Sequence, residues 1–213
     1  MKRFWKLLIA SLALLGVVMN TLQSDHILES FSYYTLQSNV LIIAFFGYLA
    51  FQSQTRDYTK SISIIKTVLT TGIVITMVIY HFALRPLLGD LDDTVYAVGD
   101  LRDSLLHYIV PTVVLIDYFI DHKTQFIKSK ALLWVSVQPL SYLGYTIIYT
   151  AFGGQYRLGE TVYRYPYFFL DIERYGWLGV SAWSIAVLAL YFILALIMIK
   201  MYKIVHHSDW HKR

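Results

Sequence analysis

Five side chains in this chain have the types and spacing for acyl-transfer chemistry. Thr35, Ser38 and Asn39 recur at intervals of three and four, which places two hydroxyls and a carboxamide on one helical face. His107 stands in Leu105-Leu106-His107-Tyr108-Ile109-Val110-Pro111, and Asp103 precedes it by one helical turn, where a carboxylate can orient the ring. A hydroxyl nucleophile, an imidazole to take its proton and an amide donor for the oxyanion are the parts of a nucleophilic hydrolase. Each group also has a plain structural use. A threonine near a helix start caps or bonds back to the backbone, and a histidine can be a hydrogen-bonded packing residue. Zinc is the rival use of the same groups, with His81, His107 and Asp103 or Asp171 as ligands. No H-E-x-x-H or other tight spacing supports it, so no metal and no cofactor are expected.

The element carrying His107 is apolar, and that makes the residue informative. The chain is 57% hydrophobic and 15% charged, with mean hydropathy +0.52, the composition of a polytopic membrane protein. A crossing takes ~20 mostly apolar residues, and six candidates occur, at about 4–21, 33–51, 62–82, 104–120, 130–150 and 179–200. An all-α bundle of six transmembrane helices in a single domain, 1–213, is expected. A titratable ring in such a segment is costly and faces protein or a wet cavity rather than acyl chains. Pro111 cannot donate to the His107 carbonyl, so a kink and a free acceptor are expected beside the imidazole. The first stretch, led by Lys2, Arg3 and Lys6, has a signal peptide as its alternative reading, but no small-x-small site follows it. Cysteine is absent, which removes disulfides and thiol chemistry.

The net charge of +4 is explained by topology rather than by nucleic acid. Thirteen of the eighteen Lys and Arg lie at the two termini and in the second and fourth connections with their flanks, Lys6 and Lys66 among them. The other five, Arg85, Arg102, Arg157, Arg164 and Arg174, lie in the third and fifth connections. The positive-inside rule then places both termini in the cytoplasm. Thr35, His107 and His81 each fall within about a turn of the opposite, outer boundary at ~1.5 Å per residue, so they can meet. No Asp, Glu, Lys or Arg is read near the middle of a span, and Pro111 and Pro139 do not mark inverted repeats, which argues against an ion-coupled transporter.

The outer connections are unequal. The third is acidic, with Asp90, Asp92, Asp93, Asp100 and Asp103, and the fifth is the longest. Its run from Tyr163 to Trp177 mixes aromatic and charged residues, as an interfacial anchor does, or a lid over a site. The C-terminal His206, His207 and His211 read as part of a basic tail against anionic lipid rather than as metal ligands. No P-loop, dinucleotide fingerprint or G-x-S-x-G elbow occurs.

Three stretches carry a family resemblance. Tyr34-Thr35-Leu36-Gln37-Ser38-Asn39, the His107-x-x-x-Pro111 segment running to Asp117, and Tyr165-Pro166-Tyr167-Phe168-Phe169-Leu170-Asp171 resemble, in type and order, the bacterial branch of the androgen-induced-protein family of six-helix membrane proteins. The resemblance covers nearly the whole chain. It implies a threonine nucleophile at Thr35 and a histidine at His107, acting on fatty-acyl esters as the animal members do. Here Gln37-Ser38-Asn39 is a more polar continuation, and Ser38 competes with Thr35 as nucleophile. The expectation is a multi-pass plasma-membrane hydrolase of a lipid-like ester, with Thr35 and His107 catalytic and Ser38, Asn39, His81, Asp103 and Asp171 supporting. Asn39 would stabilise the oxyanion, and Asp171 would orient His107 or a loop arginine. The expected partners are membrane lipid and the ester, not nucleic acid, and the oligomeric state is open. The alternative is a lipid-binding or accessory protein with the same pocket and no chemistry.

Overall fold

Proline and glycine divide the apolar segments of this chain into its helices. A computed structural model describes residues 2–52, 56–88, 97–125, 129–158 and 161–206. Asp90, Asp92, Asp93, His207 and His211 lie outside the described residues. The elements are α1 (Lys2–Gln23), α2 (Ile27–Ser30), α3 (Tyr34–Phe51), α4 (Lys60–Ile79), α5 (Arg85–Leu88), α6 (Leu101–Ser104), α7 (Val110–Ile120), α8 (Val137–Ala151), a short hairpin of β1 (Tyr156–Leu158) and β2 (Thr161–Tyr163), and α9 (Ile172–Val205). Apart from the hairpin the fold is helical.

Five helical stretches are long and apolar enough to cross a membrane, namely Arg3–Gln23, Tyr34–Phe51, Lys60–Leu88, Leu101–Ile120 and Ile172–Val205. The stretch expected at 130–150 is built differently. It is a 3₁₀ turn, Ser129–Ser136, running into α8. Pro139 explains the join, because it has no N–H to give the Val135 carbonyl, so an α-helix can begin at Val137 but cannot continue back through that turn.

Two further prolines act alike. Tyr80–Leu84 and Leu105–Ile109 are π turns, and each is followed after one residue by proline, Pro86 and Pro111. The Arg85 N–H reaches back to the Tyr80 carbonyl, and the Val110 N–H to the Leu105 carbonyl. The kink expected beside His107 thus takes the form of a π turn, a feature often found at functional sites.

The helices bury polarity inward. On α4 Ser63, Lys66, Thr67, Thr70, Thr71 and Thr76 are buried, and Thr67 and Thr71 donate to the carbonyls one turn back. On α9 Ile185, Ile193, Ile197 and Ile204 are exposed. Hydrocarbon solvent suits that distribution, since the outward face needs no polar groups while buried ones need partners. One end of the bundle gathers the first turns of α1 and the last turns of α7 and α9. The other end carries α2, the π turns and the hairpin.

Candidate functional site

The site begins with a helix cap. Asp100 precedes α6, and its Oδ1 accepts the Asp103 N–H at 2.6 Å, starting the helix so that Asp103 and His107 share a face. Asp103 Oδ1 lies 2.9 Å from His107 Nδ1. Its Oδ2 accepts the Tyr80 hydroxyl and the Gly99 N–H, each at 2.8 Å. With a carboxylate facing it, Nδ1 is assigned as the protonated nitrogen, which leaves Nε2 as the basic one. The Tyr80 ring stacks on the imidazole at 3.8 Å and 12°. The two π turns therefore face each other across the histidine, one supplying the imidazole and the other its stacking partner.

Asn39 joins this corner to α3. It is fully buried, and its Nδ2 donates to the Thr35 carbonyl at 2.9 Å and to the Leu106 carbonyl at 3.4 Å. Leu106 is next in the π register, and its partner would be the N–H that Pro111 lacks. The carbonyl that finds an outside donor is thus that of Leu106, where a free acceptor was expected at His107. Both Asn39 hydrogens are engaged, so the amide cannot also serve as oxyanion donor as the sequence suggested.

Thr35 opens onto an apolar cavity of about 80 Å³, with Tyr34, Thr76, Tyr142, Tyr167, Leu170 and Tyr191 among its lining. The Tyr34 and Tyr191 hydroxyls are hydrogen-bonded to each other. Burial pushes the Tyr167 phenol up to about 12, against hydrogen bonds from the Tyr34 backbone, Tyr142 and Thr35 that favour its charged form. Tyr167 is therefore a donor at neutral pH. His107 is not among the residues lining this cavity. Ser38 turns toward α8, where its Oγ accepts from Gln138 Nε2 at 3.2 Å.

The remaining expected residues stand apart. His81 is exposed, with Nδ1 3.1 Å from the Tyr108 hydroxyl. Asp171 caps α9, its Oδ1 accepting the N–H groups of Glu173 and Arg174 at 3.0 and 3.1 Å, and does not orient His107. Local N-cap geometry explains this, since the carboxylate closes on its own helix first. Among the described residues, no three His, Asp or Glu side chains stand together to hold a metal ion.

Comparison with protein-family models, curated proteins and solved structures finds no match.

A second buried polar centre lies at the other end of the bundle. Lys6 Nζ is 2.5 Å from Asp117 and 2.6 Å from Asp121, and Lys66 Nζ is 2.9 Å from each. The Tyr58 hydroxyl donates to Asp121 at 3.0 Å. Burial works to raise the Asp121 carboxyl, but Lys66 and Lys6 outweigh it and hold it well below the usual carboxylate range. Burial and the same carboxylate push the Tyr58 phenol up. Lys66 is fully buried and Lys6 nearly so, so these two members of the basic flanks are also partners in a buried ion cluster. The signal was present in Ile64-Ile65-Lys66-Thr67-Val68, a charge inside an apolar run, and in Asp117 and Asp121 four apart. His206 is likewise buried, with Nδ1 2.9 Å from that of His122 and Nε2 2.8 Å from the Phe119 carbonyl, rather than in a lipid-facing tail.

Proposed function

We propose that this is a multi-pass plasma-membrane protein that seats the acyl chain of an amphiphilic ester in the Thr35 cavity and hydrolyses that ester. The observation that carries the chemistry is the Asp103–His107 pair, an imidazole held by a buried carboxylate with Nε2 left as base. Thr35 Oγ forms a bond to the acyl carbon while His107 Nε2 takes its proton. The alcohol leaves with that proton, and water, deprotonated by the same nitrogen, releases the acid. With Asn39 engaged and the Tyr34 hydroxyl tied to Tyr191 and the Gly72 carbonyl, the Tyr167 phenol beside Thr35 is the donor left for the oxyanion. The likeness of the three motifs to the androgen-induced-protein family supports the same pair of residues.

Six crossings with both termini cytoplasmic complete the proposal. The sixth is the 3₁₀ turn with α8, eight and fifteen residues long. At ~2.0 and ~1.5 Å per residue they reach about 38 Å, more than the ~30 Å hydrocarbon core. The charge distribution supports the orientation.

Binding without hydrolysis is the second reading, and the absence of His107 from the cavity lining favours it. Purified protein treated with a fluorophosphonate probe and p-nitrophenyl esters separates the two. Hydrolysis requires labelling that Thr35→Ala abolishes and Ser38→Ala retains, with turnover falling on the order of 10²–10⁴-fold in His107→Ala. Turnover that survives both Thr35→Ala and His107→Ala sinks the mechanism, and an inactive wild type that retains fatty acid leaves binding alone.

A further inference from the structure

The partly open cavity holding Thr35 has a volume of about 80 Å³, whereas pockets that take small-molecule ligands run to roughly 300–1,000 Å³. An acyl chain is therefore seated in full only if a wall moves. Most of the lining comes from α3, α4, α8 and α9, with Leu84 from the π turn after α4, and the remaining wall is Tyr167, Phe169 and Leu170 from the connection between α8 and α9. That connection has the construction of a hinged piece. It leaves α8 at Gly153 with φ 84, and at its far end Gly176, with φ 63 and ψ 175, breaks α9 between its first turn and the rest of the helix, the Gly176 conformation being essentially confined to glycine. A Cβ at either position would meet nothing within 4 Å, so both glycines serve backbone conformation rather than packing.

One charged tie fastens this piece to α2. The Arg157 N–H donates to Glu29 Oε1, and Arg157 Nη1 donates to Glu29 Oε2 at 2.7 Å, with the Glu29 side chain 8% exposed. Tyr33 lies over the same point, its ring edge-on to those of Tyr156 and Tyr167 at 5.1 and 6.4 Å. A half-sheltered ion pair, joined on the same carboxylate by a backbone N–H, on a segment flanked by two unusual glycines can hold one discrete closed position.

We propose that residues 154–158 and 161–175 form a lid over the cavity, latched shut by Glu29 and Arg157, which opens to admit the acyl chain of a membrane amphiphile. The proposal rests on the cavity reading given under Proposed function, not on hydrolysis.

The absence of cysteine makes a clean test. Thr76 lines the cavity and is 4% exposed, so a single Thr76→Cys in lipid nanodiscs reports its opening by its rate of reaction with a small water-soluble maleimide. Arg157→Gln should speed labelling about tenfold, because a lost charge-assisted hydrogen bond shifts an opening equilibrium by roughly that factor. Arg157→Lys should restore slow labelling. Arg164→Gln, which breaks the 2.6 Å Arg164–Glu173 pair within the lid itself, should not speed it. An acceleration in Arg157→Gln below about fivefold, or an equal one in Arg164→Gln, overturns the latch. If Arg157→Gln is not monodisperse, Glu29→Gln breaks the same pair and is judged by the same criteria. No turnover is read, so a latched but inactive protein sinks hydrolysis alone, and latch-independent labelling sinks the lid alone.

Discussion

Asp103 accepts from three directions, and in the proposed hydrolysis its value lies in holding one tautomer of His107. Asp103→Asn replaces an acceptor-only group by one whose NH₂ can turn toward Nδ1 and favour the wrong tautomer, so ester turnover should fall by about two orders of magnitude or more. Tyr80→Phe keeps the stacked ring and removes one donor to Asp103. It should cost about 1 kcal/mol in thermal unfolding and leave turnover within roughly tenfold. Equal loss of activity in the two variants would show that the carboxylate acts through packing rather than through the imidazole. This pair was legible in the sequence because it is local, four residues apart on one helix. Thr35 was legible only in part. Counting residues put it at the correct end, but which side of Asn39 its hydroxyl takes depends on α8 and the lid, which no spacing within α3 encodes.

At the scale of elements, Pro111 sets the direction in which His107 points. With no N–H at that position the helix relaxes into a π turn, Leu105, Leu106 and His107 become buried in succession, and Asn39 takes up the Leu106 carbonyl. Pro111→Ala returns the missing donor, which can draw the turn back toward α-register and rotate the imidazole away from Tyr80 and Asp103. On the proposed mechanism the expected result is lost ester turnover with an unfolding temperature that holds or rises, since the helix gains a hydrogen bond. A variant that is both active and more stable would mean that the π turn is dispensable. Proline in an apolar run announces a disturbance, and Pro111 is one such residue. The form of the disturbance needs the neighbour that satisfies the freed carbonyl. The same limit applies to the fifth apolar stretch, where hydropathy is blind to the break that Pro139 makes.

Across the whole molecule, the ends of α1, α4 and α7 are joined by two lysines and two aspartates, a pairing invisible to any one segment because it is assembled only when three helices pack. Such a cluster is weak evidence of stability as a whole but strong evidence of cost when broken. Lys66→Met leaves two buried carboxylates sharing Lys6 and should cost about 3–5 kcal/mol in unfolding free energy, whereas adding Asp117→Asn restores a one-to-one pair and should recover most of that loss. A double variant no more stable than the single one would show that Lys66 matters by shape rather than by charge. The pH dependence follows from Asp121, which sits just beyond α7 with its carboxyl held below its ordinary value by Lys66 and Lys6 despite burial. A carboxyl whose folded pKa is depressed contributes stability that is complete above its unfolded pKa of about 3.9 and is lost as pH falls through the folded value. The unfolding temperature in nanodiscs should therefore hold between about pH 7 and 5 and decline below about pH 4, because protonating Asp121 leaves a buried lysine uncompensated. Asp121→Asn should start lower and show a shallower decline. A wild-type decline that begins near pH 6 would overturn the assignment of the acid sensitivity to the ion cluster.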